Sequence, residues 1–367
     1  MSVPLDPFFA ERLRVHRRYL LGRAVKSARA RLIALWPFEH EAPTSAARRP
    51  RAPGTAASAS GAPARPSPAR LRAKHRRAAL AWDRTELETV GTAGPEVRTT
   101  EHTVPVPGHP DVRVRIYYPA ENPDALVPAC LTFFGGAFRI GGIDYPTTDA
   151  ANRRRAVDAG VAMVAVDYAL APEHRYPTQV EQAHAALVWL FETAKRLGID
   201  PGRIGIGGTS AGACICAALA LVNRDRTRLP VRLQLLEVPV TDLTGRRLDL
   251  RATRAMRIPT FIAVRELRSV ARTYLPDRRL AREPYASPLR ADSHERLPPA
   301  VIMTAEYDPL RGDGVAYVAA LRRAGVDASA VQYLGVTHDT AIFTGVLPAA
   351  RRWHSDVVSA LRGLHAF

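Results

Sequence analysis

The sequence predicts an α/β fold in which helices cover both faces of a mostly parallel central sheet. Beyond residue 73, short apolar runs alternate with segments of helical periodicity. Buried parallel strands are typically short apolar runs, and their alternation with helices indicates a sheet covered on both sides. The predicted strands are 111–119, 129–134, 161–168, 203–208, 232–240, 299–306 and 329–335. The predicted helices are 146–159, 178–197, 211–223, 311–325 and 349–364.

Three further segments complete the predicted organisation. Residues 243–283 are rich in arginine and break the alternation, which predicts a helical cap inserted into the domain of residues 73–367. Residues 8–38 carry apolar side chains at helical spacing, which predicts a basic helical arm over residues 1–41. Residues 42–72 are rich in Ala, Pro, Ser and Arg without periodicity, which predicts a disordered linker.

The positive charge of the chain lies mainly in that arm and linker. Residues 1–80 hold 17 Lys/Arg and 4 Asp/Glu, and therefore +13 of the formal net charge of +17. We expect the arm to pack as a helix on the domain, and contact with an anionic membrane surface stays open because Trp36 and Phe38 accompany the arginines. No base-stacking pattern accompanies the charge, so we expect no nucleic-acid partner. A homodimer also stays open.

The compartment and the cofactors are predicted from what the sequence lacks. The first residues alternate apolar and charged side chains too often for a signal peptide. The three cysteines, Cys130, Cys214 and Cys216, lack the spacing of a disulfide framework. We therefore expect a cytoplasmic protein. No metal-ligand spacing occurs, and we expect neither a metal nor a cofactor.

Ser210 lies in the stretch Gly208-Thr209-Ser210-Ala211-Gly212, which fits G-x-S-x-G. A predicted strand precedes this stretch and a predicted helix follows it. A serine at such a turn is held in a strained backbone that projects its hydroxyl above the sheet, and its neighbours must be small because chain segments nearly touch there. The pattern predicts a nucleophile at Ser210.

A serine hydroxyl needs a base to take its proton and a third group to orient that base. Asp308 follows one predicted strand and His338 follows the next, in the chain order Ser, acid, His. Glu306 is the rival acid, although it is expected within its strand. The rival bases are His174, His184 and His354, of which the last two fall within predicted helices.

The third requirement is a set of donors for a developing oxyanion. Gly135 and Gly136 follow a predicted strand, and paired glycines let backbone N–H groups approach a ligand closely. The N–H of Ala211, at the start of a helix, would complete the set.

Six segments together resemble the hormone-sensitive-lipase family of serine esterases, an α/β-hydrolase group. They are FFGGAFRIGG, VDYALAPEHRYP, GGTSAGA, YASPL, AEYDPLRGDG and the strand ending VTHD, and the resemblance spans about residues 102–367. It implies an α/β-hydrolase fold with a cap built from N-terminal residues and residues 243–283. It also implies Ser210 as nucleophile, Asp308 as acid, His338 as base, and Gly135, Gly136 and Ala211 as oxyanion donors. The substrates it implies are carboxylic esters with short or medium acyl chains.

The chain departs from the pattern of this family at three places. Phe134 stands where the family has a histidine that supports the oxyanion loop, Thr209 stands where it has an aspartate, and Asp339 follows the base where it has glycine. An adjacent carboxylate is expected to alter the pKa of His338, in a direction that the sequence does not give.

The sequence therefore predicts a serine carboxylic-ester hydrolase that acts on a small-molecule ester. Two other classes of function stay open. One is a catalytically silent protein that binds small molecules on the same fold. The other is a dinucleotide-binding oxidoreductase, because Gly205 to Ser210 nearly match G-x-G-x-x-G and Asp225 follows at a suitable distance.

Overall fold

A computed structural model describes residues 3–15, 18, 67–120 and 125–367. It contains two compact units, Pro7–His75, and Arg76–Phe367 together with Met1–Asp6. Among the described residues, no helix combines the length and the apolar character that a bilayer span requires.

Eight strands form one sheet. In chain order they are β1 (Thr99–Val104), β2 (Val112–Tyr117), β3 (Val127–Phe133), β4 (Ala162–Asp167), β5 (Ile199–Thr209), β6 (Gln234–Glu237), β7 (Ala300–Ala305) and β8 (Ala328–Tyr333). Their order across the sheet is β1-β2-β4-β3-β5-β6-β7-β8. Strand β2 runs antiparallel to both of its neighbours, and the other neighbouring strands pair in parallel.

The α-helices follow the predicted alternation. They are α1 (Pro68–Thr89), α2 (Pro146–Ala159), α3 (Thr178–Thr193), α4 (Ala211–Val222), α5 (Leu250–Ala255), α6 (Thr260–Tyr274), α7 (Arg311–Arg323) and α8 (Pro348–Arg362). Helices α5 and α6 lie between β6 and β7, within the segment predicted as a cap. In the arm, residues 7–15 are helical, and residues 19–41 lie outside the described residues.

Helices cover both faces of the sheet, as two side chains of β6 show. Glu237 contacts Arg155 of α2 and Trp353 of α8, whereas Gln234 accepts a hydrogen bond from Tyr317 of α7 at 3.2 Å. Side chains an odd number of residues apart in a strand point to opposite faces. Helices α2 and α8 therefore lie on the face opposite to α7, and the predicted α/β architecture is confirmed.

Two elements differ from the sequence prediction. Strand β1 was not predicted, because its sequence TTEHTV is polar and most of its residues are exposed or half-buried at the sheet edge. Helix α1 begins at Pro68, inside the segment 42–72 expected to be linker. Ser67 accepts a hydrogen bond from the N–H of Arg70 at 3.3 Å, and proline suits the first helical position. The remainder of that segment up to residue 66 lies outside the described residues.

Candidate active site

Ser210 lies at a sharp turn between the end of β5 and the start of α4. Its backbone has φ 54° and ψ −113°, a conformation that residues other than glycine rarely adopt. The N–H of Ser210 donates to the carbonyl of Glu237 on the neighbouring strand β6, at 2.8 Å. The turn is thus fixed to the sheet, and strain of this kind is characteristic of functional sites.

The small residues beside Ser210 are required by close contacts between backbone segments. A Cβ added to Gly212 would lie 2.1 Å from the carbonyl oxygen of Phe133, and one added to Gly208 would lie 2.4 Å from the carbonyl oxygen of Gly212. Neither position has room for a side chain. The helix that follows is buried at every residue, so the turn cannot relax away from the sheet.

Asp308 and His338 lie beside this serine. The Nε2 atom of His338 is 2.9 Å from Ser210 Oγ, and its Nδ1 atom is 2.7 Å from Asp308 Oδ2. The other carboxylate oxygen of Asp308 accepts the N–H of Leu310 at 2.8 Å, and only 1% of Asp308 is exposed. The structure therefore joins the three predicted residues in one chain of hydrogen bonds.

The charges around His338 favour its protonated form. Burial disfavours the imidazolium, but the negative charge of Asp308, its hydrogen bond to the ring and the charge of Asp339 outweigh that effect. Together they raise the pKa of His338 to about 9. The sequence did not give the direction in which the pKa of His338 changes, and the structure shows that it rises. Neutral imidazole therefore becomes the major form only at alkaline pH.

The rival acid and two of the rival bases have other partners. Glu306 is buried just past the end of β7 and accepts hydrogen bonds from the N–H groups of Val3, at 3.2 Å, and Gly335, at 2.8 Å. His354 contacts Asp158, and His184 contacts Thr227. None of these contacts involves Ser210.

Gly135 and Gly136 form a loop against the serine turn. A Cβ on Gly135 would lie 3.2 Å from the carbonyl oxygen of Thr209 and 3.5 Å from Ser210 Cβ, so the loop backbone touches the turn. Gly136 has φ 135°, and a Cβ there would lie 2.0 Å from the carbonyl oxygen of Ile140. In the described part of the chain, no hydrogen bond uses the N–H groups of Gly135, Gly136 or Ala211.

Phe134 supports this loop although it is no histidine. Its ring stacks on Tyr168 with a centroid distance of 4.1 Å, and its carbonyl oxygen accepts the Tyr168 hydroxyl at 2.8 Å. Burial raises the pKa of Tyr168, so its hydroxyl stays protonated and able to donate. Stacking and one hydrogen bond therefore hold the loop at the position where the family has its supporting histidine.

A cavity of about 400 Å³ adjoins Ser210, His338 and the glycine loop. Its wall is largely apolar, and volumes of this order are usual for small-molecule sites. The apolar part of the wall includes Trp82, Phe134, Ile140, Ile143 and Ile342.

Sequence reasoning missed Glu237, which supports the serine turn from β6. The residue is 1% exposed, and its carboxylate accepts hydrogen bonds from Arg155 at 2.9 Å, Trp353 at 2.7 Å and the Thr209 hydroxyl at 3.2 Å. A carboxylate buried with one guanidinium must be paired, since either charge alone would be costly. The only available signal was a charged residue inside the otherwise largely apolar predicted strand 232–240.

Asp313, in the first turn of α7, was also missed. It accepts the backbone N–H groups of Thr241 and Asp242 at 2.7 and 2.9 Å. Burial outweighs these hydrogen bonds, and with the nearby charges of Asp242 and Asp308 it raises the pKa of Asp313 to about 7. The residue holds the loop that follows β6.

Among the described residues, no group of three His, Cys, Asp or Glu side chains is arranged to hold a metal ion. Asp225, which the dinucleotide alternative requires, is paired with Arg224 and accepts the Tyr285 hydroxyl at 2.9 Å.

A family model described as the alpha/beta hydrolase fold matches residues 130–342, more than half of the chain. The chain belongs to the α/β-hydrolase family. This hydrolase is 38% identical over 270 residues to Esterase LipI of Mycobacterium tuberculosis, with 73% of this chain and 82% of the relative covered. It is also 38% identical over 290 residues to Carboxylesterase NlhH of the same species, with 77% and 88% covered.

A solved structure agrees with these relatives. The hydrolase superposes with a TM-score of 0.72 on EstE1, a thermophilic carboxylesterase cloned from a metagenomic library. The two chains are 33% identical, and the match covers 81% of this chain and 99% of EstE1. The predicted α/β-hydrolase fold and the resemblance to the hormone-sensitive-lipase family of esterases are confirmed.

Replacing Glu237 by Ala should lower the free energy of unfolding by about 3–5 kcal/mol, because it leaves the largely buried guanidinium of Arg155 without its carboxylate partner. Adding Arg155→Met to Glu237→Ala should recover part of that loss, since the unpaired charge is then gone. Urea unfolding of the single and double variants measures both effects. As a control, Glu181→Ala breaks a more exposed pair with Arg226 and should cost at most about 1 kcal/mol. If Glu237→Ala and Glu181→Ala lowered the free energy of unfolding equally, the pairing of Glu237 with Arg155 would not be the stabilising interaction that we infer.

The pH profile of ester hydrolysis should report the raised pKa of His338. Only neutral imidazole can accept the serine proton, so kcat/KM should rise with pH through a midpoint displaced from 6.5 toward 9. Asp339→Asn removes a negative charge beside the imidazolium and should move the midpoint to lower pH. Asp292→Asn, at an exposed position, should leave it unchanged. A midpoint that stays the same in Asp339→Asn would refute the assignment of the titration to His338.

Proposed function

We propose that the protein hydrolyses carboxylic esters with short or medium acyl chains through an acyl-enzyme formed on Ser210. The class of enzyme follows from its family and from relatives named as an esterase and a carboxylesterase. The observation that supports the mechanism is the hydrogen-bonded chain from Ser210 Oγ through His338 to Asp308, with contacts of 2.9 and 2.7 Å.

The proposed reaction begins when Ser210 Oγ attacks the ester carbonyl and His338 Nε2 takes its proton. The buried carboxylate of Asp308 holds Nδ1–H and stabilises the imidazolium. His338 then returns the proton to the leaving alcohol, and the acyl group stays on the serine. Water activated by the same histidine hydrolyses the acyl-enzyme and restores the hydroxyl.

We assign the oxyanion to the N–H groups of Gly135, Gly136 and Ala211. The support is that their loop and helix terminus adjoin Ser210, and that these groups donate to no other described residue. The start of α4 adds the positive end of the helix dipole. One such donor is typically worth about 10²–10³ in rate.

The alternative of a catalytically silent binding protein has less support. Such a protein would not need its serine, histidine and buried carboxylate in mutual contact, and here all three are present. Covalent labelling by a fluorophosphonate separates the two functions, because it requires an activated serine. An unlabelled but ligand-binding protein would support the alternative.

Ser210→Ala should lower kcat for p-nitrophenyl butyrate by roughly 10⁶, since it removes the nucleophile. The matched control is Ser329→Ala, at an exposed position of β8, which should retain full activity. Substantial turnover by Ser210→Ala would exclude the proposed mechanism.

A series of p-nitrophenyl esters should give the highest kcat/KM for short and medium acyl chains, because the cavity of about 400 Å³ cannot enclose a long one. Trp82→Ala removes a large side chain from the wall of that cavity. The cavity becomes larger, and the relative kcat/KM of longer esters should rise. Leu334→Ala removes another exposed apolar side chain outside the cavity and should leave the preference unchanged. A preference for palmitate in the unmodified protein would overturn the proposed substrate class.

A further inference from the structure

The solvent-exposed face of helix α6 is apolar at its N-terminal end and basic along the rest of its length. Phe261, Arg265, Arg268 and Arg272 are all exposed, and their spacing places them on one face of the helix. Ile262 lies beside Phe261, and the exposed fractions of these two residues are 47% and 65%. We call Phe261, Ile262, Arg265, Arg268 and Arg272 the outer face of α6.

The opposite side of α6 is fixed to the domain. Val270 and Tyr274 are buried, and the Tyr274 ring stacks on Phe138 with a centroid distance of 3.8 Å. Arg139 forms an ion pair with Glu266 and donates to the Ser269 hydroxyl at 3.3 Å. The helix therefore cannot turn its outer face inward without breaking these contacts. Phe261 stays exposed for this reason.

The surrounding segment carries a net positive charge. Residues 243–283 contain eleven arginines and four acidic residues. In the described part of the chain, no ion pair uses Arg265, Arg268 or Arg272. Further exposed arginines of the same segment are Arg254, Arg257, Arg278, Arg279 and Arg282. A surface with so many unneutralised cations is complementary to an anionic partner.

We propose that the outer face of α6 docks on an anionic lipid surface. Phe261 and Ile262 enter the boundary between headgroups and acyl chains, and the three arginines contact lipid phosphates. This division between apolar and basic side chains is typical of helices that lie in a membrane interface. Each arginine near an anionic leaflet contributes about 1 kcal/mol, equivalent to about fivefold in affinity.

A nucleic acid is the less suitable partner for this face. Proteins that bind single strands use several aromatic side chains on which successive bases stack. Here a single phenylalanine lies next to an aliphatic isoleucine at one end of the stripe. An exposed aliphatic side chain gains from a hydrocarbon boundary and gains little from phosphate groups and base edges.

Co-sedimentation of the full-length protein with vesicles tests the proposal. We expect binding to mixed phosphatidylcholine and phosphatidylglycerol vesicles and little binding to phosphatidylcholine alone. Arg265→Glu/Arg268→Glu/Arg272→Glu should weaken binding at least about a hundredfold, because three favourable contacts become repulsive. Phe261→Ala should weaken it about tenfold or more and make the remaining binding more sensitive to salt.

The matched control makes the same change of net charge elsewhere. Arg196→Glu/Arg323→Glu/Arg352→Glu alters three exposed arginines outside residues 243–283 and should bind like the unmodified protein. Equal loss in both triple variants would overturn the proposal in favour of a general charge effect. Unchanged binding in the α6 variant would overturn it in favour of another surface, such as the basic arm. The proposal would also be overturned if the α6 triple variant lost binding to duplex DNA and kept its binding to vesicles.

Docking is separable from ester hydrolysis. Ser210→Ala should bind vesicles as tightly as the unmodified protein, because the outer face of α6 contains none of the proposed catalytic residues. Both triple variants should retain turnover of the water-soluble p-nitrophenyl butyrate, which also shows that they are folded. Failure of vesicle binding in an active protein would reject the docking surface and leave the proposed hydrolysis intact.

Discussion

The contact between the helix that follows Ser210 and the end of strand β3 constrains the whole site. Gly212 lies so close to the carbonyl oxygen of Phe133 that a Cβ would reach to 2.1 Å of it. Because those two segments touch, the serine turn and the glycine loop after β3 are held side by side. The proposed mechanism needs its nucleophile and oxyanion donors close together before any substrate arrives, and this backbone contact supplies that proximity without a side chain.

The surroundings of the turn convert that proximity into a defined geometry. On one side, Glu237 holds Ser210 by its carbonyl group and Thr209 by its carboxylate, and the carboxylate also binds Arg155 and Trp353. On the other side, Tyr168 holds the Phe134 carbonyl. Phe134 and Thr209, the two departures from the family pattern beside the turn, therefore each have a hydrogen-bond partner in this structure.

The fold and the placement of the main site residues could be predicted because they depend on local patterns. Apolar runs show the parallel strands, and Ser210, Asp308 and His338 each follow one, so their convergence is a consequence of topology. Strand β1 could not be predicted, since an exposed edge strand has no apolar run. Glu237 could not be assigned a role, because its three partners come from β5, α2 and α8 and meet only in the folded protein.

Contacts between α6 and the segment after the glycine loop connect the insertion to the site. Phe138 and Arg139 follow the loop directly, and they bind Tyr274, Glu266 and Ser269 of α6. The positive φ values of Ala137 and Phe138 are sparsely populated conformations that need external support. Helix α6 supplies that support from its inner side while its outer side stays exposed. Any partner that binds the outer face therefore binds the element that stabilises the backbone beside the proposed oxyanion donors.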